Sequence, residues 1–402
     1  MPPVSLSVIL PILYVCDKLD QKNITRKDRV LIIRQIENFH SFSRLINRTR
    51  RRDIDNFCIR RNETIEVEFT IEQRNLHDEL LCFEKNSLSI LHNTNNVNFM
   101  MSIIRRQAAS CIFGLAPFIS QILEQRIIDI EGLTKEEMPE PEIIESLRTA
   151  ALELVNLASI LPPDDPKFEA FYQIIKDKQK LQNNKIMVFS TFKLTLFYLE
   201  KKLQQKNTRI GLIYGDVKEE ERLKLRKRFE LPKEDIDAID VMLFSEVGCE
   251  GLDYQFCDGM INYDLPWNPM RIEQRIGRID RRGQKSNVVV IYNLITPNTV
   301  DADIYSRCLL RIGVFEQSIG DCEEILGNIH REIKNIAENL NLSDKDRRIK
   351  FEQLADNEVR LIQEQRILED REHELFGIRL VRFLINLVQK IGILKINNIF
   401  SN

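Results

Sequence analysis

The stretch Gln274-Arg-Ile-Gly-Arg-Ile-Asp-Arg-Arg-Gly-Gln284 sets two arginines, Arg278 and Arg281, three residues apart. On a helix that spacing puts both on one face, a turn apart. Two forked guanidinium groups on one face can grip a polyphosphate, because each meets phosphate oxygens bidentately. Gly277 removes a side chain beside Arg278, so a second surface can come close. By itself an arginine-rich stretch of this kind reads more readily as a solvated basic helix, and its surroundings have to decide.

Around it the chain alternates between two periods. Residues 185–190 (Lys-Ile-Met-Val-Phe-Ser), 209–214, 240–244, 260–264 and 288–294 are apolar runs of strand length. Helical patterns run over 168–181, 192–205 and 218–230, and the arginine stretch lies between the last two strands. Strands alternating with helices predict an α/β fold with a doubly wound parallel sheet. Ligands of such sheets sit at the carboxyl ends of the strands. Three loops fall there: Ser190-Thr191, Ser245–Asp253 and Leu265–Pro269.

The chemistry of these loops suits phosphates and sugars. In Ser245-Glu-Val-Gly-Cys-Glu-Gly-Leu-Asp253, a hydroxyl and glycine amides can hold phosphate oxygens. Glu250 and Asp253 can order a helix, hold a water or meet a ribose; a structural turn explains the loop equally well. Leu265-Pro-Trp-Asn-Pro269 carries the only tryptophan of the chain. Held between two prolines in a loop, Trp267 is expected to be partly exposed and to lie against a base or the sugar-phosphate chain.

The amino-terminal half is mainly helical by pattern. Residues 17–47 read as one or two helices, and the arginine-rich run 47–54 as either a solvated loop or a patch facing a phosphate backbone. Glu63–Phe69 alternates at the strand period. Thr70 and Gln73 form a capping box for the helix that follows. Asp78-Glu-Leu-Leu81 lies inside that helix and is not the acidic box of a nucleotide site. Residues 84–97 read as a loop, 100–123 as buried helix broken near Gly114 and Pro117, 128–142 as an acidic loop, and 143–157 as helix. Pro162-Pro-Asp-Asp-Pro166 is a hard break and marks a domain boundary.

Composition excludes several classes. The 58 basic and 61 acidic residues nearly cancel, so any nucleic-acid contact must come from local patches. The eight cysteines include no C-x-x-C pair, which removes the usual zinc spacings and points to a reduced, cytoplasmic setting. No metal-ligating cluster is expected within the chain. The apolar start, 1–16, is too short and proline-interrupted to span a bilayer, and the tail 378–394 is broken by charges. No membrane partner is expected.

Gln274–Arg281 matches the Q-x-x-G-R-x-x-R signature of superfamily 2 helicases, their sixth motif. The following Arg-Gly-Gln, and Asn262-Tyr-Asp-Leu-Pro-Trp-Asn-Pro269, resemble the sucrose-non-fermenting (Snf) type of DNA translocase. Ser245–Asp253 is similar to the fifth motif and Val188-Phe-Ser-Thr191 to the fourth. The resemblance implies a RecA-like helicase C-terminal lobe over 161–312, preceded and followed by mainly helical regions. It implies that 1–60 is a helical remnant or linker from a first lobe, 61–160 a mainly helical region and 313–402 a charged helical region. It also implies ATP with Mg2+ bound between two such lobes, and duplex DNA as the track. Carried over by motif, Arg281 is the main arginine finger, with Arg278 beside it. Gln274, Glu250, Gly251 and Asp253 fall on the nucleotide side. Ser190, Thr191, Ser245, Trp267 and Asn268 fall on the nucleic-acid side.

One half of that site has no counterpart in the sequence. No G-x-x-x-x-G-K-[ST] occurs, nor any Gly-Lys pair, and no acidic box ends an apolar strand. The first lobe is then expected elsewhere, in a longer protein or a separate polypeptide, or the site is degenerate. Two functions follow: the carboxyl-terminal part of an ATP-driven DNA translocase, or a nucleic-acid-binding or regulatory module without turnover. The charged tail 342–376 reads as a helix packed along one apolar stripe.

Overall fold

Six strands form one sheet in the computed structural model: β1 (Ile59–Glu66), β2 (Ile186–Phe189), β3 (Ile210–Ile213), β4 (Val241–Phe244), β5 (Gly259–Asn262) and β6 (Val288–Ile295). Their order is β1-β6-β5-β2-β4-β3, and every pairing is parallel. The structure describes residues 58–91, 94–131, 139–246, 253–281, 283–315, 323–339 and 342–361. The expectations for 1–57 and for the tail beyond 361 lie outside these residues. A parallel α/β sheet is what the strand pattern predicts, and its five later strands fall within a residue or two of the expected runs.

All four residues of β2, and all four of β4, are buried. A parallel strand covered on both faces must be apolar throughout, which is why these runs show no alternation. Helices α5 (Pro166–Gln179) and α6 (Lys193–Gln205) contribute Phe168, Phe171, Ile175, Leu196, Leu199 and Leu203 to one core with Ile186, Val188, Val241, Leu243 and Ile261. The amino-terminal helices, α1 (Ile71–Leu91), α2 (Thr94–Ser110), α3 (Ile119–Glu131) and α4 (Pro141–Ser159), close a second core around Leu76, Leu80, Phe83, Leu123, Leu147 and Leu154. Phe113 packs against both cores.

The capping box is formed: the Gln73 N–H donates to Thr70 Oγ1 at 3.3 Å, and the Thr70 N–H to Gln73 Oε1 at 3.1 Å. Asp78-Glu79-Leu80-Leu81 lies within α1. Three local expectations are corrected. The first strand runs from 59 to 66, not 63 to 69, because its length is set by register with β6, from Ile59 opposite Val288 to Glu66 opposite Ile295. Most of 84–97 is helix, because Ser87 and Leu88 are fully buried and the Ser87 hydroxyl donates to the Phe83 carbonyl at 3.0 Å. Residues 128–131 extend α3 instead of opening a loop, since Ile130 is buried in the helical core. In each case tertiary burial overrides local propensity.

At the break 162–166, Asp165 caps α5, accepting from the Lys167 and Phe168 N–H groups at 3.1 Å each and from the Tyr198 hydroxyl at 2.7 Å. Asp165→Ala removes a cap and the partner of the partly buried Tyr198 hydroxyl. It should lower stability by about 1–2 kcal/mol for the cap alone, read as a lower urea midpoint at unchanged slope. An unaltered midpoint would rule out a stabilising role for this cap.

Beyond the sheet, the chain continues as α7 (Glu219–Glu230), α8 (Pro269–Ile276), a helix over 300–312 and α9 (Glu323–Glu338). A last helix spans 344–361 and buries Phe351, Leu354 and Ala355, the apolar stripe expected of the tail. Ion pairs Arg307–Glu352, Arg311–Asp356 and Arg348–Asp303 fasten it to the 300–312 helix. No single helix among the described residues is long and apolar enough to cross a membrane.

Candidate functional site

Because the strands are parallel, the carboxyl ends of β2, β4 and β5 share one edge of the sheet. Asp264, two residues past β5, gathers that edge. Its carboxylate accepts from the hydroxyls of Ser110, at 2.6 Å, and Ser190, and from the Thr191 N–H at 2.8 Å. Burial alone would push this carboxyl up. The Arg275 guanidinium and the donors from Ser110, Ser190 and Thr191 outweigh it and hold the group below the ordinary carboxylate range.

Arg275, on α8, is only 1 % exposed. It donates to Asn262 Oδ1 at 3.0 Å, to the Asp264 carbonyl at 2.9 Å, to Thr191 Oγ1 at 3.3 Å and to Glu246 Oε1 at 3.2 Å. Its guanidinium lies 5.4 Å from the centre of the Phe189 ring. One buried fork thus ties α8 to the ends of β2, β4 and β5. Such a cation is tolerable inside the protein because its donors find acceptors in several directions. Neither Arg275 nor Asp264 was singled out from the sequence, although a signal existed. Ile272, Arg275, Ile276 and Ile279 fall at i, i+3, i+4 and i+7, so Arg275 occupies a position on the apolar stripe.

The two arginines of the motif do not share a helix face, as their spacing predicts. α8 ends at Ile276, with Gly277 as its C-cap, and 278–280 are turns. A Cβ at Gly277 would stand 3.1 Å from the Glu273 carbonyl oxygen, so glycine relieves crowding at the helix end. Ile279 and Asp280 are buried and draw the chain off the helical path. Arg278 is partly exposed, and its carbonyl accepts from the Tyr254 N–H at 3.0 Å. Arg281 is exposed. Its Nε donates to the Gly277 carbonyl at 2.7 Å, and its Nη1 lies 2.5 Å from Asp253 Oδ1.

The other expected residues divide by burial. Gln274 is exposed, and its side-chain oxygen accepts from Arg271 at 3.3 Å. Asp253 joins Arg281, while Glu250 and Gly251 lie outside the described residues. Thr191 is partly exposed, whereas Ser190 is fully buried with its hydroxyl committed to Asp264. Ser245 is buried, its N–H donating to the Ile213 carbonyl at 3.0 Å. Asn268 caps α8, accepting from the Met270 N–H at 3.0 Å.

The expected exposure of Trp267 is overturned: it is 4 % exposed. Its indole N–H donates to Asp301 Oδ1 at 2.5 Å, and the Arg106 guanidinium lies 5.1 Å from its ring centre. The flanking prolines shape the loop, but a partner for the N–H and a cation for the face lie inside the fold, so the ring goes in. Among the described residues, no group of three or more His, Cys, Asp or Glu side chains could hold a metal ion.

Comparison with known proteins places this edge in context. The helicase conserved C-terminal domain family matches residues 166–283. The chain is 29 % identical over 322 residues to the uncharacterized ATP-dependent helicase YqhH of Bacillus subtilis, covering 78 % of this chain and 52 % of that protein. It is 31 % identical over 132 residues to the RNA polymerase-associated protein RapA of Vibrio cholerae, 32 % of this chain and 13 % of that one. The chain therefore spans about half the length of YqhH and a smaller part of RapA. Among solved structures, the C-terminal part of the Fun30 ATPase domain is 16 % identical with a TM-score of 0.43, covering 70 % of this chain and 98 % of that one.

Proposed function

We propose that the chain carries the C-terminal lobe of a superfamily 2, Snf-type helicase, residues 166–283 matching the helicase conserved C-terminal domain, and that it supplies arginine fingers and DNA contacts to an ATP site completed by a first RecA-like lobe. Arg281 is the main finger and Arg278 stands beside it. The observation that carries this reading is the state of Arg281: exposed, at the motif turn, its Nε on the Gly277 carbonyl and its Nη1 paired at the surface with Asp253, the two side chains 44 % and 37 % exposed. An ion pair that open to water contributes about 0–1 kcal/mol, so Arg281 leaves Asp253 at little cost. A finger delivered to a transferring phosphoryl group speeds hydrolysis by roughly 10³–10⁵. The second effect is far larger, which makes Asp253 a resting place and not a rival.

Bound ATP with Mg2+ supplies the transferable phosphoryl group. The contribution of this chain is positioning and charge. Arg275 and Asp264 hold the strand-end loops rigid, so that Arg278, Arg281, Gln274 and Thr191 project from a fixed edge. The relatives named as ATP-dependent helicases support nucleotide use. Duplex DNA as the track rests on the Snf-type motifs.

The test is ATP hydrolysis by the purified chain alone and mixed with a Snf-type first lobe, each with and without duplex DNA. Background turnover alone and DNA-stimulated turnover in the mixture are expected. Robust turnover by the chain alone would remove the shared site. DNA binding without turnover in the mixture would replace it with a non-catalytic binding module.

A further inference from the structure

Arg60 lies on β1, outside the matched residues 166–283, and 3 % of its side chain is exposed. Its Nε donates to Asp280 Oδ2 at 2.5 Å. Its Nη1 and Nη2 donate to Glu273 Oε1 and Oε2 at 3.0 and 3.2 Å. Glu273 precedes Gln274 in the last turn of α8, and Asp280 stands between Arg278 and Arg281. The Asp280 side chain is fully buried, and its other oxygen accepts from the Cys58 thiol at 3.1 Å. One planar cation from the edge strand therefore spans the segment that carries both arginines.

The helix ends at Gly277, and beyond it the main chain ties the turn back to α8: the Arg278 N–H donates to the Arg275 carbonyl at 3.0 Å, and the Ile279 and Asp280 N–H groups to the Ile276 carbonyl at 3.1 and 2.9 Å. To this backbone hold Arg60 adds a side-chain hold from a separate strand. Local contacts on this stretch include the Arg281 Nε to the Gly277 carbonyl and the Tyr254 N–H to the Arg278 carbonyl. The bidentate grip on Glu273 sets the angle of the guanidinium plane, and the third donor then sets the place of Asp280. A lysine there could reach one carboxylate but could not present this fork.

We propose that Arg60 is a positioning residue for the arginine turn, bracing Glu273 and Asp280 so that Arg278 and Arg281 are presented to phosphate in register. Its effect on turnover rests on the finger reading above; the bracing itself does not. The braced turn is thus built partly by a strand more than a hundred residues before the matched domain, through its parallel pairing of Arg60 with Val289.

Two measurements test this, on Arg60→Met and Arg60→Lys. In the full chain alone, amide hydrogen exchange should quicken by about tenfold or more across 277–284 in Arg60→Met, with β2, β4 and β5 unchanged. Arg60→Lys should fall between wild type and Arg60→Met. Unchanged exchange over 277–284, or exchange raised equally throughout the sheet, overturns the brace. In the chain assembled with a first lobe, Arg60→Met should lower kcat by about a hundredfold while KM for ATP stays within about twofold. Combined with the double variant Arg278→Ala/Arg281→Ala it should cost nothing further. Losses that multiply would mean Arg60 acts apart from the arginine turn and would overturn the proposal. Quickened exchange together with full activity of Arg281→Ala would instead remove the finger reading and leave the brace standing.

Discussion

Arg281→Ala in the assembled two-lobe enzyme should lose about a thousandfold or more of its DNA-stimulated ATP turnover, with the fold intact. The size follows from the chemistry of phosphoryl transfer, in which the protein contributes mainly position and charge at the developing transition state. The intact fold follows from the site. Arg281 is exposed, and its pair with Asp253 is open to water, so truncation removes an interaction of about 0–1 kcal/mol. The measurement is kcat at saturating ATP and DNA beside a urea melt of the variant. Turnover preserved in Arg281→Ala removes the finger assignment; turnover lost with an equal loss of folded protein makes the residue structural.

Arg275→Met should have the larger effect on stability. It keeps much of the side-chain volume but leaves the Asp264 carboxylate without its main counter-charge. Breaking a buried pair from one side costs about 3–5 kcal/mol. The pH dependence gives the effect a signature. In wild type the folded Asp264 carboxyl lies below its ordinary value. Its stabilisation is therefore present above the unfolded value, about 3.9, and is lost as pH falls through the folded value. Without Arg275, burial becomes the leading influence and the folded value moves up. Protonation then relieves the buried charge, so the variant should lose less stability relative to wild type at pH 5 than at pH 8. Urea midpoints at the two pH values read this directly. A gap independent of pH would mean that the loss comes from packing against Phe189 and not from the charge on Asp264.

The two effects come from arginines six residues apart in one motif, and they are opposite in kind. Arg281, on the proposed reading, acts by what it reaches; Arg275 acts by what it holds. Residue type cannot separate them, since both are arginines in one basic run. Their difference lies in phase. Arg275 shares the apolar stripe of α8 with Ile272 and Ile276, while Arg281 comes after the helix has ended.

The parallel sheet, its later strands, the capping box at Thr70 and the crowding of the motifs at one edge were all legible in the chain. They depend on local period and on the right-handed parallel connections that such periods enforce. Side-chain destinations were less so. Trp267 was expected at the surface because of its prolines, yet Asp301 and Arg106, both remote in sequence, bury it. Ser190 and Asn268 have the right residue types for polar contacts, but spend them on Asp264 and on a helix end.

What the amino-acid order determined by itself, then, is the α/β frame and the motifs that match a helicase C-terminal domain. These follow from spacing along the chain. Only the tertiary structure decided which arginine is buried, which is exposed, and that Arg60, on a strand far upstream, meets Glu273 and Asp280 on either side of the turn. Those outcomes depend on charges meeting across the fold, where burial raises the cost of an unmatched ion and so fixes each partner, and no local period records them.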